Sequence, residues 1–156
     1  MDDKNFQTDL IWKFYEEQRD SAKKQDQQRT SISNFIVAST GVLLAVNSKT
    51  DDYYIALLMS LFISILGIYG VFVVRKLHER AEYYRERARV ALKKIEQNID
   101  SSIFNQIIDQ AYLKHKQKFS INYKLGLHKA WALIHFFIFL LGIVLNYIII
   151  FKYDLL

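Results

Sequence analysis

Three long stretches of the chain contain no formally charged residue, and polar segments separate them. They cover residues 30–48, 53–74 and 130–151, which are 19, 22 and 22 residues long. As α-helices they would extend about 28, 33 and 33 Å, and the hydrocarbon core of a membrane is about 30 Å thick. The pattern therefore predicts an all-α membrane protein with three transmembrane helices.

The first stretch is the least apolar of the three. It carries Ser33, Asn34, Ser39 and Thr40, and its apolar centre is limited to residues 35–46. A buried core helix is the alternative for each stretch, and for this one an interfacial or re-entrant segment is a further alternative. The other two are apolar on every side, and a soluble chain of 156 residues is too short to enclose two such helices.

The polar segments divide the chain into four parts. Residues 1–30 form an N-terminal helix, and residues 31–74 form a transmembrane hairpin with its tip at residues 47–52. Residues 75–129 form a basic helical connector, and residues 130–156 form the third span with a short tail. Because the chain contains no proline, we expect the N-terminal helix to continue into the first span without a break.

The distribution of basic residues predicts the orientation of the spans. The net charge is +5, and of the 21 Lys and Arg residues 6 lie in the N-terminal helix and 13 in the connector, whereas the hairpin tip and the tail have one each. Basic loops remain in the cytoplasm. We therefore expect the N-terminus and the connector in the cytoplasm and the C-terminus outside.

Two polar segments have helical patterns of their own. The N-terminal helix begins with an apolar face of Phe6, Leu10, Ile11 and Phe14, and this face ends after Tyr15. The connector begins with a narrow row at spacings of four and three residues, here called the seam. The seam comprises Leu77, Ala81, Tyr84, Ala88, Ala91 and Ile95. Such a row packs on one partner helix, either the N-terminal helix or a copy from another subunit.

The rest of the connector is predicted as an amphipathic helix over residues 103–118 and a linker over residues 122–129. Its densest group of cations is a basic patch of Lys114, His115, Lys116 and Lys118. With 13 basic and 6 acidic residues the connector carries +7. This charge suits anionic lipids or an anionic signal, and it also suits the ordinary cytoplasmic bias of a membrane protein. No aromatic residues of a recognisable nucleic-acid-binding module accompany the patch, so no nucleic acid is expected.

No residue pattern points to catalysis. The chain has no cysteine, its four histidines lack zinc-ligand spacing, and it contains neither a glycine-rich phosphate loop nor a nucleophile elbow. We therefore predict a protein that is not an enzyme and needs neither a cofactor nor a metal. His135 lies inside the third span, where an ionisable side chain is a candidate functional site. A neutral histidine bonded to a neighbouring helix or to a headgroup is the alternative.

Two rows of small residues predict close helix packing in the membrane. The first span carries Asn34, Ala38, Gly41 and Ala45 on one face, and the second carries Ala56, Ser60, Ser64 and Gly67. Small residues let helices approach closely in lipid. One such face would pack the hairpin, and the second predicts a homo-oligomer. Asn34, Ser39 and Thr40 are candidates for a polar strip along a central path, with packing inside the chain as the alternative.

Several short stretches resemble small bacterial membrane proteins of the RipA-like and SLATT-like families. They are Tyr15-Glu16-Glu17-Gln18-Arg19, Gln28-Arg29, Ser33-Asn34-Phe35, His78-Glu79-Arg80 with Tyr84 and Arg87-Ala88-Arg89, and Leu127-His128-Lys129 with Trp131. SLATT-like proteins are two-span modules of nucleotide-signal and phage-defence systems, thought to form pores. RipA-like proteins are oligomeric inner-membrane proteins with a later, additional span. The resemblance implies the bacterial inner membrane and no catalytic residues.

Two hypotheses for function follow. The first is an oligomeric effector or channel-like protein, controlled from its cytoplasmic helices by a protein or an anionic signal. The second is a membrane scaffold that recruits a cytoplasmic partner through the seam and the basic connector.

Overall fold

The computed structural model describes residues 3–98, 110, 113–114 and 127–154. Within these residues the chain forms three helices and no strand. They are α1 (Asp3–Asn47), α2 (Tyr53–Asn98) and α3 (Leu127–Asp154), with 45, 46 and 28 residues. All three are long and apolar enough to cross a membrane. The predicted all-α membrane fold is confirmed.

The hairpin between α1 and α2 lies where the sequence predicts it, and local hydrogen bonds define its tip. At the end of α1, the Ser48 backbone N–H donates to the Leu44 carbonyl, and the Ser48 hydroxyl donates to the Ala45 carbonyl at 2.9 Å. Asp52 precedes α2, and its Oδ1 accepts a hydrogen bond from the Ile55 N–H at 3.0 Å. Asp52 is therefore the N-cap that starts α2.

The described residues belong to two compact units. The polar unit contains residues 3–26 and 78–98, together with residues 110 and 113–114. The apolar unit contains residues 27–77 and 127–154. Both α1 and α2 are continuous through the point where they pass from one unit to the other, as predicted for the N-terminal helix and the first span.

The centre of the apolar unit is filled by one isoleucine from each helix. Ile36, Ile63 and Ile138 are 1%, 0% and 9% exposed and form one cluster. Five partly buried residues pack around them, namely Ile32, Leu43, Leu44, Leu66 and Leu145. The three spans are therefore one packed bundle with an apolar cluster inside it.

The polar unit is built on the seam and on the first part of α1. Four seam residues are buried: Ala81, Ala88, Ala91 and Ile95. The other two, Leu77 and Tyr84, are half-buried, and Leu77 belongs to the apolar unit. Arg85 pairs with Asp26 of α1, and the Arg87 guanidinium lies 5.0 Å from the centre of the Phe14 ring. The N-terminal helix of the same chain is thus a partner of the seam helix.

Several sequence predictions concern the segment that follows α2. Apart from residues 110 and 113–114, the helix predicted over residues 103–118 lies outside the described residues, and so do three members of the basic patch, His115, Lys116 and Lys118. Lys114 is described, and its side chain is exposed. The linker predicted to extend to residue 129 is shorter at its end, because α3 already begins at Leu127.

Candidate functional site

The small face of α2 forms the contact with α3. Ala56, Ser60, Ser64 and Gly67 are all buried. A Cβ atom on Gly67 would overlap the backbone of Phe139, and one on Gly142 of α3 would overlap Ser64. The two helix backbones are therefore in contact at positions where glycine has no side chain to hold them apart. Our expectation that a small face packs the hairpin itself needs correction, because this face packs on the third span.

Polar side chains accompany this contact at its Ser60 end. The Ser60 hydroxyl lies 2.8 Å from Oδ1 of Asn146 and 2.9 Å from the Leu57 carbonyl, so it joins α3 to its own helix. The Asn146 amide donates to the Gly142 carbonyl at 2.9 Å, and the Ser64 hydroxyl donates to the Ser60 carbonyl. Each of these polar groups is bonded inside the bundle, as an apolar surrounding requires.

His135 is fully buried and joins all three helices. Its Nε2 lies 3.0 Å from the Oγ of Ser33 on α1, and its ring packs on Gly70 of α2, where a Cβ would overlap it. Its Nδ1 has no hydrogen-bond partner among the described residues. The side chain is thus bonded to a neighbouring helix, which is the alternative that the sequence left open.

The small face of α1 has a different environment from that of α2. Asn34, Ala38, Gly41 and Ala45 are all exposed, and a Cβ on Gly41 would meet no atom within 4 Å. The side of α1 that packs into the bundle carries Ser33, Ile36 and Thr40 instead. The face with the clearest row of small residues in α1 is therefore left uncovered by the part of the chain that the structure describes.

The predicted polar strip of Asn34, Ser39 and Thr40 does not form. Asn34 is exposed, Ser39 is half-buried and Thr40 is buried. Successive residues of an α-helix are rotated by about 100°, so positions 34 and 40 lie on different sides of α1. The buried Thr40 hydroxyl has no hydrogen-bond partner within the described part of the chain. Closeness in sequence therefore does not place Asn34, Ser39 and Thr40 on one face of the helix.

Sequence reasoning missed the face of α1 that meets the seam. Gln18 and Ala22 are buried, and Ile11, Tyr15 and Gln25 are half-buried. These five positions are spaced four, three, four and three residues apart, which matches the spacing of the seam. Of the predicted apolar face, Phe6, Leu10 and Phe14 are exposed, and Ile11 is the member that belongs to the buried stripe. The heptad spacing was visible in the sequence, but glutamine and alanine made it inconspicuous.

Gly70, Gly142 and Asn146 are not among the predicted site residues, and the sequence marks Ser33 only as a polar residue of the first span. Gly142 and Asn146 lie four residues apart in α3, a span in which only the histidine had drawn attention. A search of the third span for small and polar residues at helical spacing would have found both. Among the described residues, no group of three or more His, Asp or Glu side chains is placed to hold a metal ion.

Comparisons with protein-family models, with curated proteins and with solved structures found no match for this chain. The resemblance to RipA-like and SLATT-like proteins therefore stays a prediction. The residues that could support a function belong to two contacts and one exposed surface: the α2–α3 contact, the buried His135–Ser33 pair and the small face of α1.

Proposed function

We propose that the protein is a homo-oligomeric membrane protein that acts as a channel-like or membrane-permeabilising effector in a bacterial inner membrane, with phage defence as its setting. The observation that carries this proposal is that two similar helix faces differ in burial. The small face of α2 is buried by α3, whereas a Cβ atom added to Gly41, at the centre of the small face of α1, would meet none of the described residues outside its own helix within 4 Å.

A second copy is the occupant that this face suits best. Lipid tails are as apolar as the side chains they surround, so apolar side chains gain no hydrophobic free energy by moving from lipid into a helix contact. Helices in a membrane therefore associate through close backbone packing and polar contacts. Ala38, Gly41 and Ala45 offer the close packing, and the exposed Asn34 offers an amide. An amide facing hydrocarbon is costly unless it is hydrogen-bonded, and a facing copy supplies a partner of the same type.

The packing of the apolar unit bears on where ions would cross. Ile36, Ile63 and Ile138 form a buried apolar cluster to which each of the three helices contributes one residue. An aqueous path in this proposal therefore runs between copies, next to the α1 faces.

The proposal places control in the polar unit. In this proposal α1 and α2, which each contribute residues to both units, carry a change in the packing of the polar unit to the spans. A protein or an anionic signal that binds one packing arrangement more tightly shifts the population toward it. The 13 basic residues of the connector favour an anionic ligand.

The test is membrane potential during expression in bacteria, measured with a potential-sensitive dye. We expect depolarisation by the wild-type chain and its loss in Gly41→Leu and Asn34→Leu. Val42→Leu is the matched control, because Val42 is adjacent to Gly41 and 64% exposed. An intact potential with the wild-type chain, or equal depolarisation by Gly41→Leu and Val42→Leu, contradicts the proposal.

A second candidate function is a membrane scaffold that recruits a partner protein. It is favoured by the large apolar side chains that the polar unit exposes, among them Phe6 and Trp12 at 54% and 45%. Binding of a specific partner that depends on Tyr84 or Arg87, with the membrane potential intact, supports the scaffold over the effector.

A further inference from the structure

The polar unit contains a groove with a volume of 530 Å³ between α1 and α2. Leu10 and Phe14 line it from α1, and Tyr83, Arg87, Val90 and Lys94 line it from α2. These four of the six α2 residues that line the groove are spaced four, three and four residues apart, so they form one stripe along the helix. This stripe adjoins the seam, whose Ala91 also lines the groove.

The apolar residues of the groove are open to solvent. Leu10, Tyr83 and Val90 are 51%, 60% and 54% exposed. Large apolar side chains that adjoin one another on the surface of a soluble unit mark interaction sites. Their arrangement in a groove along two helices fits the apolar row of a third helix, as in other helix-in-groove complexes.

Arg87 differs from the arginines on either side of it. Arg85 pairs with Asp26 and Glu82, and Arg89 lies 2.6 Å from Glu86. Arg87 instead lies over two aromatic rings, 5.0 Å from the centre of Phe14 and 5.5 Å from that of Tyr83. Among the described residues no carboxylate is within ion-pair distance of it. The rings hold the guanidinium in place by cation–π contact, and its N–H groups remain available to an anion.

Lys94 supplies a second cation in the same stripe. It follows Arg87 by seven residues, which is about 10.5 Å along a helix. Glu86 also lines the groove, but Arg89 pairs with it and offsets its charge. The groove therefore presents an apolar floor with two cations two helical turns apart.

A symmetric second copy does not suit this charge pattern. Copies in one membrane share their orientation, so a two-fold contact through the stripe would set each Arg87 against its counterpart. Like charges at close range oppose such a contact. A partner with carboxylates at matching positions gains from both cations instead.

We propose that this groove binds an acidic amphipathic helix of another protein, with an apolar row that enters the groove and carboxylates two turns apart that pair with Arg87 and Lys94. The inference deepens the control step proposed above and rests on the polar unit having a protein partner. It requires no pore, so peptide binding tests it and the membrane potential tests the effector separately.

The experiment uses the full chain in nanodiscs of neutral phosphatidylcholine. The probe is a fluorescein-labelled synthetic helix of about 18 residues, long enough to form helix on binding, with a leucine row flanked by glutamates seven residues apart. A second peptide has lysine in place of each glutamate. We expect the acidic peptide to bind and the basic one to fail, as measured by fluorescence anisotropy.

Variants of the groove decide whether binding occurs there. Arg87→Gln should weaken binding of the acidic peptide about tenfold, since a charge-assisted hydrogen bond contributes that much. Lys94→Gln removes an exposed charge without a packing role and should weaken binding about threefold. Lys93→Gln is the matched control: the same charge is lost from a neighbouring exposed position outside the groove, and binding should not change.

Other outcomes overturn the inference. Failure of both peptides to bind, or equal binding by wild type, Arg87→Gln and Lys94→Gln, removes the groove as a site for an acidic helix. A change in the number of copies per nanodisc caused by Arg87→Gln without peptide would assign the groove to a second copy. Loss of peptide binding when phosphatidylglycerol replaces phosphatidylcholine would assign it to anionic lipid.

Discussion

The Nε2 atom of His135 lies 3.0 Å from the Oγ atom of Ser33, at a place where both side chains are fully buried. This contact ties α3 to α1, and Gly70 of α2 leaves the space that the imidazole ring occupies. In an apolar surrounding a hydrogen bond of this kind fixes which helix faces meet, because the unpaired alternative is costly. The pair therefore sets the register of α3 in the bundle.

Replacing Ser33 with alanine should destabilise the apolar unit by about 1–2 kcal/mol, because both nitrogens of the buried ring then lack a partner. The measurement is the free energy of unfolding in detergent micelles or bicelles. Ser31→Ala is the matched control, since Ser31 is an exposed serine on the same helix. Equal stability of the two variants would show that the contact does not stabilise the fold.

Alanine in place of glycine should have opposite effects at two positions. At Gly67 the added methyl group meets the backbone of Phe139, and we expect a loss of about 1–3 kcal/mol from overpacking. At Gly41 the methyl group meets nothing within 4 Å, so Gly41→Ala should leave the stability of the monomer unchanged or raise it by up to about 1 kcal/mol. Thermal unfolding of both variants in micelles provides the comparison, and a similar loss at both positions would contradict the packing described.

Much of the fold is predictable from the sequence because charge is excluded from hydrocarbon. The three uncharged runs fix the spans, and the short polar tip at residues 47–52 fixes the hairpin. The seam is also predictable, since its 4-3-4 spacing is a property of one helix. What remains hidden is the choice of partner for each face. Gly41 and Gly67 have similar sequence surroundings, and only the position of α3 decides that one is buried and the other is open.

The candidate site was harder to predict than the spans. Packing inside a membrane depends on small and polar residues, so the apolar pattern that reveals a span does not reveal its contacts. His135 attracted attention as an ionisable residue, but its partner Ser33 is one of several serines in an ordinary span. The stripe through Gln18 and Ala22 was missed for a related reason, because neither residue is large and apolar.

The polar unit should be sensitive to the size of its seam residues. Ala88 is 4% exposed, and leucine in its place should overpack the contact and cost about 1–3 kcal/mol. We expect faster amide hydrogen exchange across residues 15–26 of α1, because α1 packs beside the seam. Lys93→Leu adds a leucine at an exposed position of the same helix and should leave exchange unchanged. Equal exchange in both variants would contradict the assignment of the buried stripe.

The hairpin tip should depend on the side-chain oxygen of Asp52 that caps α2. Asp52→Ala removes the acceptor for the Ile55 N–H and should cost about 1 kcal/mol. Asp52→Asn keeps a side-chain oxygen that caps a helix equally well, so its stability should stay close to that of the wild type. Unfolding curves of the three proteins test this, and a loss in Asp52→Asn as large as that in Asp52→Ala would point to charge instead of capping.

The most direct test of self-association through α1 is disulfide cross-linking in native membranes, which is simple because the chain has no cysteine of its own. Ala38→Cys places a thiol on the uncovered small face, and Val144→Cys places one on α3, where the side chain is 52% exposed. After mild oxidation we predict cross-linked dimers for Ala38→Cys and monomers for Val144→Cys. Monomers for both variants, or equal cross-linking of both, would contradict the proposal that α1 faces meet between copies.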